Sequence, residues 1–164
     1  MLELVVDATL PPGRYQLVAP VAAPSGVPPW MLTAFGELGQ REIRGGENPR
    51  IMEYHRESGT GQDEDEDAWC GAFMGWNMKR AGFGLPKGPA AARSWLTFGR
   101  ELTAPTWGCV VVFWRVSRES WQGHVGLFLA ERDGQVWVLG GNQSDSVCVT
   151  SMPKSQVLGY RWPA

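Results

Sequence analysis

One cysteine of the chain is placed where a thiol can be made nucleophilic. Cys70 stands at the start of a segment, Trp69 to Arg80, whose apolar residues recur at the spacing of a helix. At a helix N-terminus, unpaired backbone N–H groups and the helix dipole favour the thiolate, and the same N–H groups can hold an oxyanion. The sequence therefore nominates Cys70 as a nucleophile, with a small buried hydrophobic residue as the alternative.

Two further residues could complete a nucleophilic site. His124 opens an alternating strand pattern, where it can serve as a general base; the alternative is a solvent-facing histidine at a strand end. Asn142 lies 18 residues later, after the next predicted strand, and could orient the imidazole. Its alternative role is that of a turn residue after Gly140-Gly141.

These segments carry a resemblance to a known group of enzymes. In order along the chain, they resemble the CHAP/NlpC-type superfamily of papain-like cysteine hydrolases, and more closely its small bacterial and phage CHAP-like cell-wall hydrolases, over about residues 29–163. The matching segments are Pro29-Trp30-Met31, Glu37-Leu38-Gly39, Asn48-Pro49-Arg50-Ile51, Trp69-Cys70-Gly71-Ala72-Phe73, Ala92-Arg93-Ser94-Trp95, Gly123-His124-Val125-Gly126, Gly140-Gly141-Asn142-Gln143 and Leu158-Gly159-Tyr160-Arg161-Trp162.

The resemblance implies both a fold and an activity. The fold is papain-like α+β, and the activity is cleavage of an amide bond in peptidoglycan. The bond would be either the sugar–peptide amide, as in an N-acetylmuramoyl-L-alanine amidase, or a bond of the stem peptide, as in an endopeptidase. Carried over by position, Cys70 is the nucleophile, His124 the base and Asn142 the orienting residue.

The chain departs from the family pattern in two places. Gly108 is followed by Cys109 where the family usually has Gly-Asp, which affects a local turn. Gly71 stands where many relatives have alanine. Glycine is less favourable in a helix than alanine by up to about 1 kcal/mol, and its small size could let the substrate approach closely. Cys109 and Cys148 lie in strand patterns without a nearby histidine and are interpreted as core thiols.

Three residues next to this set are candidates for substrate binding. Trp69 adjoins the nucleophile, Trp121 lies in the loop before His124, and Gln143 follows Asn142. An indole can line a groove for a sugar or a peptide stem, and a packed rim is the alternative for both tryptophans.

An acidic run, Asp63 to Asp67, precedes the predicted nucleophile. It is interpreted as a solvated turn or a helix cap, with a Ca²⁺ site as the alternative because alternating carboxylates can collect oxygen ligands. The run lacks the glycine and the distal glutamate of an EF-hand loop. The three cysteines form no CxxC pair, so no metal ligands are assigned and no cofactor is required.

The order of elements predicts how these residues are brought together. Helix patterns come first, and after residue 108 the period changes to that of strands, with Asp133-Gly134 as a hairpin turn. This order predicts an α+β protein in which N-terminal helices pack on a C-terminal antiparallel sheet. The helix patterns are Trp30 to Gly39, Pro49 to about residue 57, Trp69 to Arg80 and Ala90 to Phe98; the strand patterns are Cys109 to Val116, His124 to Ala130, Val136 to Leu139, Val147 to Thr150 and Val157 to Trp162.

Length and charge limit the organisation and the partners. The 164 residues suit one domain, with an N-terminal arm or linker over residues 1–29 and the catalytic domain over 30–164. A net charge of −2 without a basic cluster argues against nucleic-acid binding, and the longest apolar run, Cys109 to Trp114, is too short to insert into a membrane. Peptidoglycan is the expected partner, and the arm could dock on a phage or secretion-system protein.

Two other classes of function stay open. A papain-like toxin or transferase would act on a non-wall substrate, and a non-enzymatic module would serve a phage particle or a secretion system. The N-terminus has no basic segment of a signal peptide, so we expect synthesis in the cytoplasm. A wall enzyme of this kind would reach its substrate after holin-type release, virion delivery or secretion.

Overall fold

The computed structural model describes residues 26–61, 64 and 67–164. The predicted arm therefore lies almost entirely outside the described residues. Helices come first along the described chain: α1 (Pro29–Gly36), α2 (Pro49–Ser58), α3 (Cys70–Arg80) and a short 3₁₀ helix (Ala92–Thr97). None of the helices in the described ranges is long and apolar enough to cross a membrane.

The ends of α2 show how the sequence sets the helix boundaries. The side chain of Asn48 accepts a hydrogen bond of 2.8 Å from the backbone N–H of Arg50, and Pro49 occupies the first turn. At the other end, Gly59 adopts the left-handed conformation with φ of 68°, which ends the helix. Capping chemistry thus sets both boundaries of α2, close to the predicted range of Pro49 to about residue 57.

The second half of the chain forms one antiparallel sheet of six strands in the order β1-β6-β2-β3-β4-β5. The β3–β4 hairpin turns at Asp133 and Gly134, which both have positive φ, as predicted. The sequence did not predict β1, a three-residue edge strand. The strands are β1 (Arg100–Leu102), β2 (Val110–Trp114), β3 (Gly123–Arg132), β4 (Gln135–Gly140), β5 (Cys148–Pro153) and β6 (Val157–Trp162).

Both faces of the sheet are covered, which explains why β2 is apolar at every position. One face, which includes Val112 and Val125, packs under the helices in the main core. The other face includes Val111 and Phe113 and closes over a second, smaller core. The predicted α+β arrangement of N-terminal helices on a C-terminal antiparallel sheet is confirmed. As a result, the N-terminus of α3 lies against the start of β3, and these are the elements that carry Cys70 and His124.

Candidate active site

Cys70 is the first residue of α3, as the sequence predicts, and its thiol is free. The backbone N–H of Val125 on β3, and those of Gly71 and Cys70 at the helix N-terminus, favour the thiolate and act to lower the pKa of this thiol. Val125 directly follows His124, and α3 packs against β3. The helix and the strand thus meet where the predicted nucleophile and the predicted base are located.

Burial determines the protonation state of this thiol. Cys70 is only 8% exposed, and the loss of water raises its pKa above the ordinary value. The N–H groups and the positive charge of Arg115 oppose this shift without cancelling it. The expectation that the helix N-terminus makes Cys70 a thiolate is therefore corrected, because desolvation outweighs the favourable dipole and hydrogen bonds.

His124 is the second residue of β3 and is 1% exposed. Burial lowers the pKa of its imidazole to about 4, and Arg115 adds to the effect, whereas a hydrogen bond with Gln143 opposes it. The imidazole is therefore neutral at neutral pH. Its Nδ1 atom is buried and has no hydrogen-bond partner in the part of the chain that the structure describes.

The side chain that contacts the imidazole belongs to Gln143. Its Oε1 lies 2.9 Å from His124 Nε2, and its amide nitrogen donates to the carbonyl of Cys148 at 2.5 Å. Because the carbonyl can only accept, the amide nitrogen must point toward Cys148 and the oxygen toward the histidine. His124 Nε2 therefore carries the proton, and Nδ1 is left with the lone pair that a general base needs.

The structure places Gln143 where the sequence predicts Asn142. Asn142 is a half-buried turn residue with φ of 54°, a conformation that asparagine tolerates well. The alternative interpretation of Asn142 as a turn residue therefore agrees with its position in the structure. Gln143, interpreted from the sequence as a substrate-binding residue, is instead buried against the imidazole.

The two glycines before this turn allow the close packing around the imidazole. A Cβ atom on Gly140 would lie 3.0 Å from Gln143 Oε1 and 3.4 Å from His124 Nε2. A Cβ atom on Gly141 would lie 2.6 Å from side-chain atoms of Phe73 and of Trp69. The segment Gly-Gly-Asn-Gln is therefore a packing motif that inserts one amide beneath the histidine.

The two tryptophans nominated for substrate binding have opposite environments. Trp69 is 0% exposed, and its indole N–H donates to Glu42 at 2.7 Å, so it is a core residue and does not line a groove. Trp121 is 82% exposed in the loop before β3 and stays a candidate. Val116 of the same loop is 80% exposed and has φ of 66°, a strained conformation for a β-branched residue that is found mostly at functional sites.

Arg93 holds the loop that carries Trp121. Its guanidinium donates to the carbonyls of Ser117 and Arg118, the latter at 2.8 Å, and to that of Gln122. The loop over residues 115–122 is thereby fixed beside the start of β3. Sequence reasoning missed Arg115 in this loop, because the predicted strand Cys109 to Val116 includes it, whereas the observed strand β2 ends at Trp114.

The acidic run stays untested as a Ca²⁺ site. Only Glu64 and Asp67 of the run are among the described residues. Within residues 26–61, 64 and 67–164, no three His, Cys, Asp or Glu side chains are grouped to hold a metal ion.

Comparison with known proteins identifies the fold. No protein-family model and no curated protein matches the chain. A solved structure from Staphylococcus aureus, of a protein similar to lipoproteins in the NLP/P60 family, matches with a TM-score of 0.50 and 17% identity; the match covers 83% of this chain and 41% of that one. RipD of Mycobacterium tuberculosis, described as a non-catalytic NlpC/p60 domain protein adapted to peptidoglycan binding, matches with a TM-score of 0.46 and 16% identity, over 80% of this chain and 92% of that one.

The chain therefore has the α+β fold of NlpC/P60 proteins, and the predicted papain-like fold is confirmed. It spans less than half the length of the Staphylococcus aureus protein.

Proposed function

We propose that this domain is a cysteine hydrolase that cleaves an amide bond of peptidoglycan. Cys70 is the nucleophile, His124 is the general base, and Gln143, in place of Asn142, orients the imidazole. One observation carries the proposal: a helix-terminal thiol meets the start of the strand that holds a neutral histidine, and the Nδ1 atom of that histidine is free to accept a proton.

The chemistry begins from a neutral thiol and a neutral imidazole. As the sulfur attacks the amide carbonyl carbon, the thiol proton passes to His124 Nδ1, and backbone N–H groups at the start of α3 hold the developing oxyanion. The imidazolium then protonates the leaving amine, and a thioester stays on Cys70. Water, deprotonated by His124, attacks the thioester, which releases the acid and regenerates the thiol.

The fold and the exposed loop support peptidoglycan as the substrate. NlpC/P60 domains are usually cysteine hydrolases associated with peptidoglycan, and the sequence resembles CHAP-like wall hydrolases of phages and bacteria. Trp121, exposed beside the start of β3, offers a surface for a sugar or a stem peptide. The cleaved bond is either the sugar–peptide amide or an amide within the stem.

The route to the wall is part of the same proposal. Holin-type release, virion delivery and secretion each fit a phage or bacterial lytic protein. Residues 1–29 would then be the segment that docks on a phage or secretion-system partner.

The decisive experiment uses purified peptidoglycan and three proteins: the wild type, Cys70→Ala and Cys109→Ala. Cys109 is a buried thiol of the second core and serves as the matched control. We expect soluble fragments with new amine termini from the wild type and from Cys109→Ala, and none from Cys70→Ala. Fragment masses distinguish an amidase from an endopeptidase, and parallel reactions with Ca²⁺ and with a chelator test the acidic run.

Full activity of a folded Cys70→Ala protein would overturn the mechanism. If folded wild-type protein leaves the peptidoglycan intact, the proposal that peptidoglycan is the substrate is wrong. In that case, activity on an amide outside the wall that the wild type shows and Cys70→Ala lacks would indicate a toxin or transferase.

The burial of Cys70 favours a second candidate, a peptidoglycan-binding module without turnover. A thiol that is 8% exposed and has a raised pKa reacts slowly with electrophiles near neutral pH. Such a module would sediment with insoluble peptidoglycan to the same extent as its Cys70→Ala variant, and mass spectrometry would find no fragments.

A further inference from the structure

The short 3₁₀ helix (Ala92–Thr97) lies between the two elements that carry the reacting groups. A Cβ atom on Gly71, in the first turn of α3, would meet backbone carbonyls of the segment just before this helix. A Cβ atom on Gly123, the first residue of β3, would lie 3.3 Å from Arg93 Cγ. The helix is itself firmly anchored, because Trp95 is fully buried in the main core. Arg93 therefore extends from a rigid base.

The guanidinium of Arg93 holds the loop over residues 115–122. It donates to the carbonyl of Arg118 at 2.8 Å and to those of Ser117 and Gln122 at 3.4 Å each. The three carbonyls lie in the middle of the loop and at its end, directly before β3. One side chain thus fixes the loop at two places.

The loop needs this support because its backbone is strained. The N–H of Ser117 donates to the carbonyl of Arg115 at 2.8 Å, which closes a three-residue turn around Val116, where φ is 66°. A turn of this kind with positive φ is rare and strained, above all at a β-branched residue. Such a conformation persists only where the surrounding structure enforces it. Arg93 binds the carbonyl of Ser117, directly after the strained residue, and supplies part of that enforcement.

Two large apolar side chains project from the supported loop. Val116 is 80% exposed and Trp121 is 82% exposed, and neither belongs to a hydrophobic core of the described residues. Because β2 pairs Trp114 with Gly123, Val116 and Trp121 come opposite each other two residues further along that register. Strained backbone and exposed apolar surface are both unfavourable in the free protein, and together they indicate a binding surface.

We propose that Arg93 is a positioning residue that holds Val116 and Trp121 as a preformed contact surface for peptidoglycan. The inference rests on the proposed function, because it requires peptidoglycan as the ligand. A loop that is already ordered loses little conformational freedom when the ligand binds, so Arg93 strengthens binding without touching the substrate. Loss of its guanidinium therefore weakens binding and leaves the bond-breaking step at Cys70 nearly unchanged.

Limited digestion with trypsin tests the support of the loop without any substrate. The loop carries two exposed arginines, Arg115 and Arg118, and cleavage there requires local opening. Arg93→Gln keeps the Cγ atom that packs on Gly123 but removes the guanidinium. We expect cleavage at the two loop sites to be about 10-fold faster in this variant, the effect of one charge-assisted hydrogen bond. The control is Ser94→Ala, whose lost hydroxyl donates only to carbonyls outside the loop, and it should be digested at the wild-type rate.

Hydrolysis of solubilised peptidoglycan then separates binding from chemistry. Arg93→Gln and Trp121→Ala should each raise KM by about 10-fold and leave kcat within about twofold of the wild type. In the double variant, KM should rise far less than the product of the two single effects, because Arg93 acts through the loop that carries Trp121. Fully multiplicative effects, a fall in kcat at unchanged KM, or unchanged tryptic cleavage of Arg93→Gln would each overturn the proposal.

A conservative variant covers the case in which Arg93→Gln does not fold. Arg93→Lys keeps the charge and the alkyl stem but lacks the planar set of donors that reaches several carbonyls at once. Its tryptic cleavage and its KM should lie above those of the wild type. Wild-type values for both would contradict the role of the guanidinium.

Failure of the hydrolase proposal gives a different result. If the wild type binds peptidoglycan without cleaving it, sedimentation with insoluble peptidoglycan replaces KM. Weaker sedimentation of Arg93→Gln and Trp121→Ala, but not of Ser94→Ala, then supports the positioning role even without turnover. Equal sedimentation of all four proteins contradicts it, and a wild type that neither cleaves nor binds peptidoglycan contradicts both proposals.

Discussion

The amide of Gln143 determines which nitrogen of His124 can take a proton. It is held by the Cys148 carbonyl and by a turn that Ser146 closes on the backbone carbonyl of Gln143 at 2.9 Å. With its oxygen fixed toward Nε2, the imidazole has one tautomer, and the other nitrogen faces the site as an acceptor. In this mechanism Gln143 is a positioning residue that never touches the substrate.

Substitutions of Gln143 should change the pH dependence of activity in opposite directions. The hydrogen bond that His124 Nε2 donates to Gln143 Oε1 raises the pKa of His124, which burial holds at about 4. Gln143→Leu removes this bond, so the pKa of the imidazole falls. The acid limb of the kcat/KM profile then lies at lower pH than in the wild type. Gln143→Glu places a negative charge at Nε2, which raises the pKa and moves the limb to higher pH.

The measurement is kcat/KM against pH for the three proteins. Gln143→Leu should also lose about 10- to 100-fold in kcat/KM, as expected when a buried hydrogen bond is removed. Asn142→Ala is the control, and it should keep the wild-type pH profile. Identical profiles for Gln143→Leu and Gln143→Glu would contradict the role of Gln143.

The residues of the site differ in how far the sequence could predict them. Cys70 is the first residue of a helix and His124 the second residue of a strand, and those boundaries follow from local periodicity. The choice between Asn142 and Gln143 depends on one positive φ in a turn, which no periodicity reports. Arg115 was missed because its approach to His124 depends on the pairing register of β2 with β3, which is a long-range property.

The helix α3 owes its position to close contacts that only glycine allows. A Cβ atom on Gly71 would lie 2.2 Å from the carbonyl oxygen of Pro89 and 2.5 Å from that of Ala90. The sequence suggested that Gly71 allows the substrate to approach closely. In the structure, the missing side chain instead allows the backbone of Pro89 and Ala90 to pack against the helix. This contact fixes the position of the first turn of α3, which carries the nucleophile.

Gly71→Ala should therefore destabilise the protein, although alanine is the better helix former. The gain in helix propensity is about 1 kcal/mol, whereas insertion of a methyl group against rigid backbone costs about 1–3 kcal/mol or more and displaces the helix start. Urea unfolding should show a lower midpoint, and peptidoglycan hydrolysis should fall with it. Gly36→Ala is the control: this glycine ends α1, and a Cβ atom added there would meet nothing within 4 Å, so the midpoint of that variant should not fall.

The elements themselves were largely predictable, with exceptions that have physical causes. The capped helix α2 and the hairpin at Asp133-Gly134 follow from turn and cap chemistry. The edge strand β1 has three residues and pairs only with β6, so it leaves too short a pattern to detect. Trp69 was ambiguous because a tryptophan next to a nucleophile suits a groove and a core equally well, and only the packing of Gly141 against its ring decides for the core.

Across the whole molecule, one polar network ties the three α-helices together. Glu37, the C-cap residue directly after α1, accepts hydrogen bonds from Tyr54 at 2.5 Å and from Arg50, both on α2. Glu53 of α2 in turn pairs with Arg50 at 2.8 Å and with Arg80 of α3 at 2.7 Å. The network fixes α3 from its C-terminal half, while Gly71 fixes its start, so both ends of the helix that carries Cys70 are held.

This network should make stability depend on pH in the acid range. The ion pair with Arg50 is the main cause that lowers the pKa of Glu53 from 4.5 to about 2. A carboxyl whose pKa is lower in the folded state stabilises the fold above the unfolded pKa, and that contribution is lost as protons bind the folded carboxylate. We therefore expect the free energy of unfolding to fall as the pH decreases from about 4.5 to about 2.

Urea unfolding between these pH values, with the wild type and Glu53→Gln, checks this contribution. Glu53→Gln keeps the size of the side chain but cannot bind the proton, so its stability should fall less steeply with decreasing pH. Solvent around Arg80 screens part of the interaction, so added salt should also flatten the wild-type slope. Equal slopes for the two proteins would show that Glu53 is not the titrating group, and that the helices are held by packing around Tyr54 and Trp76 without help from this charge.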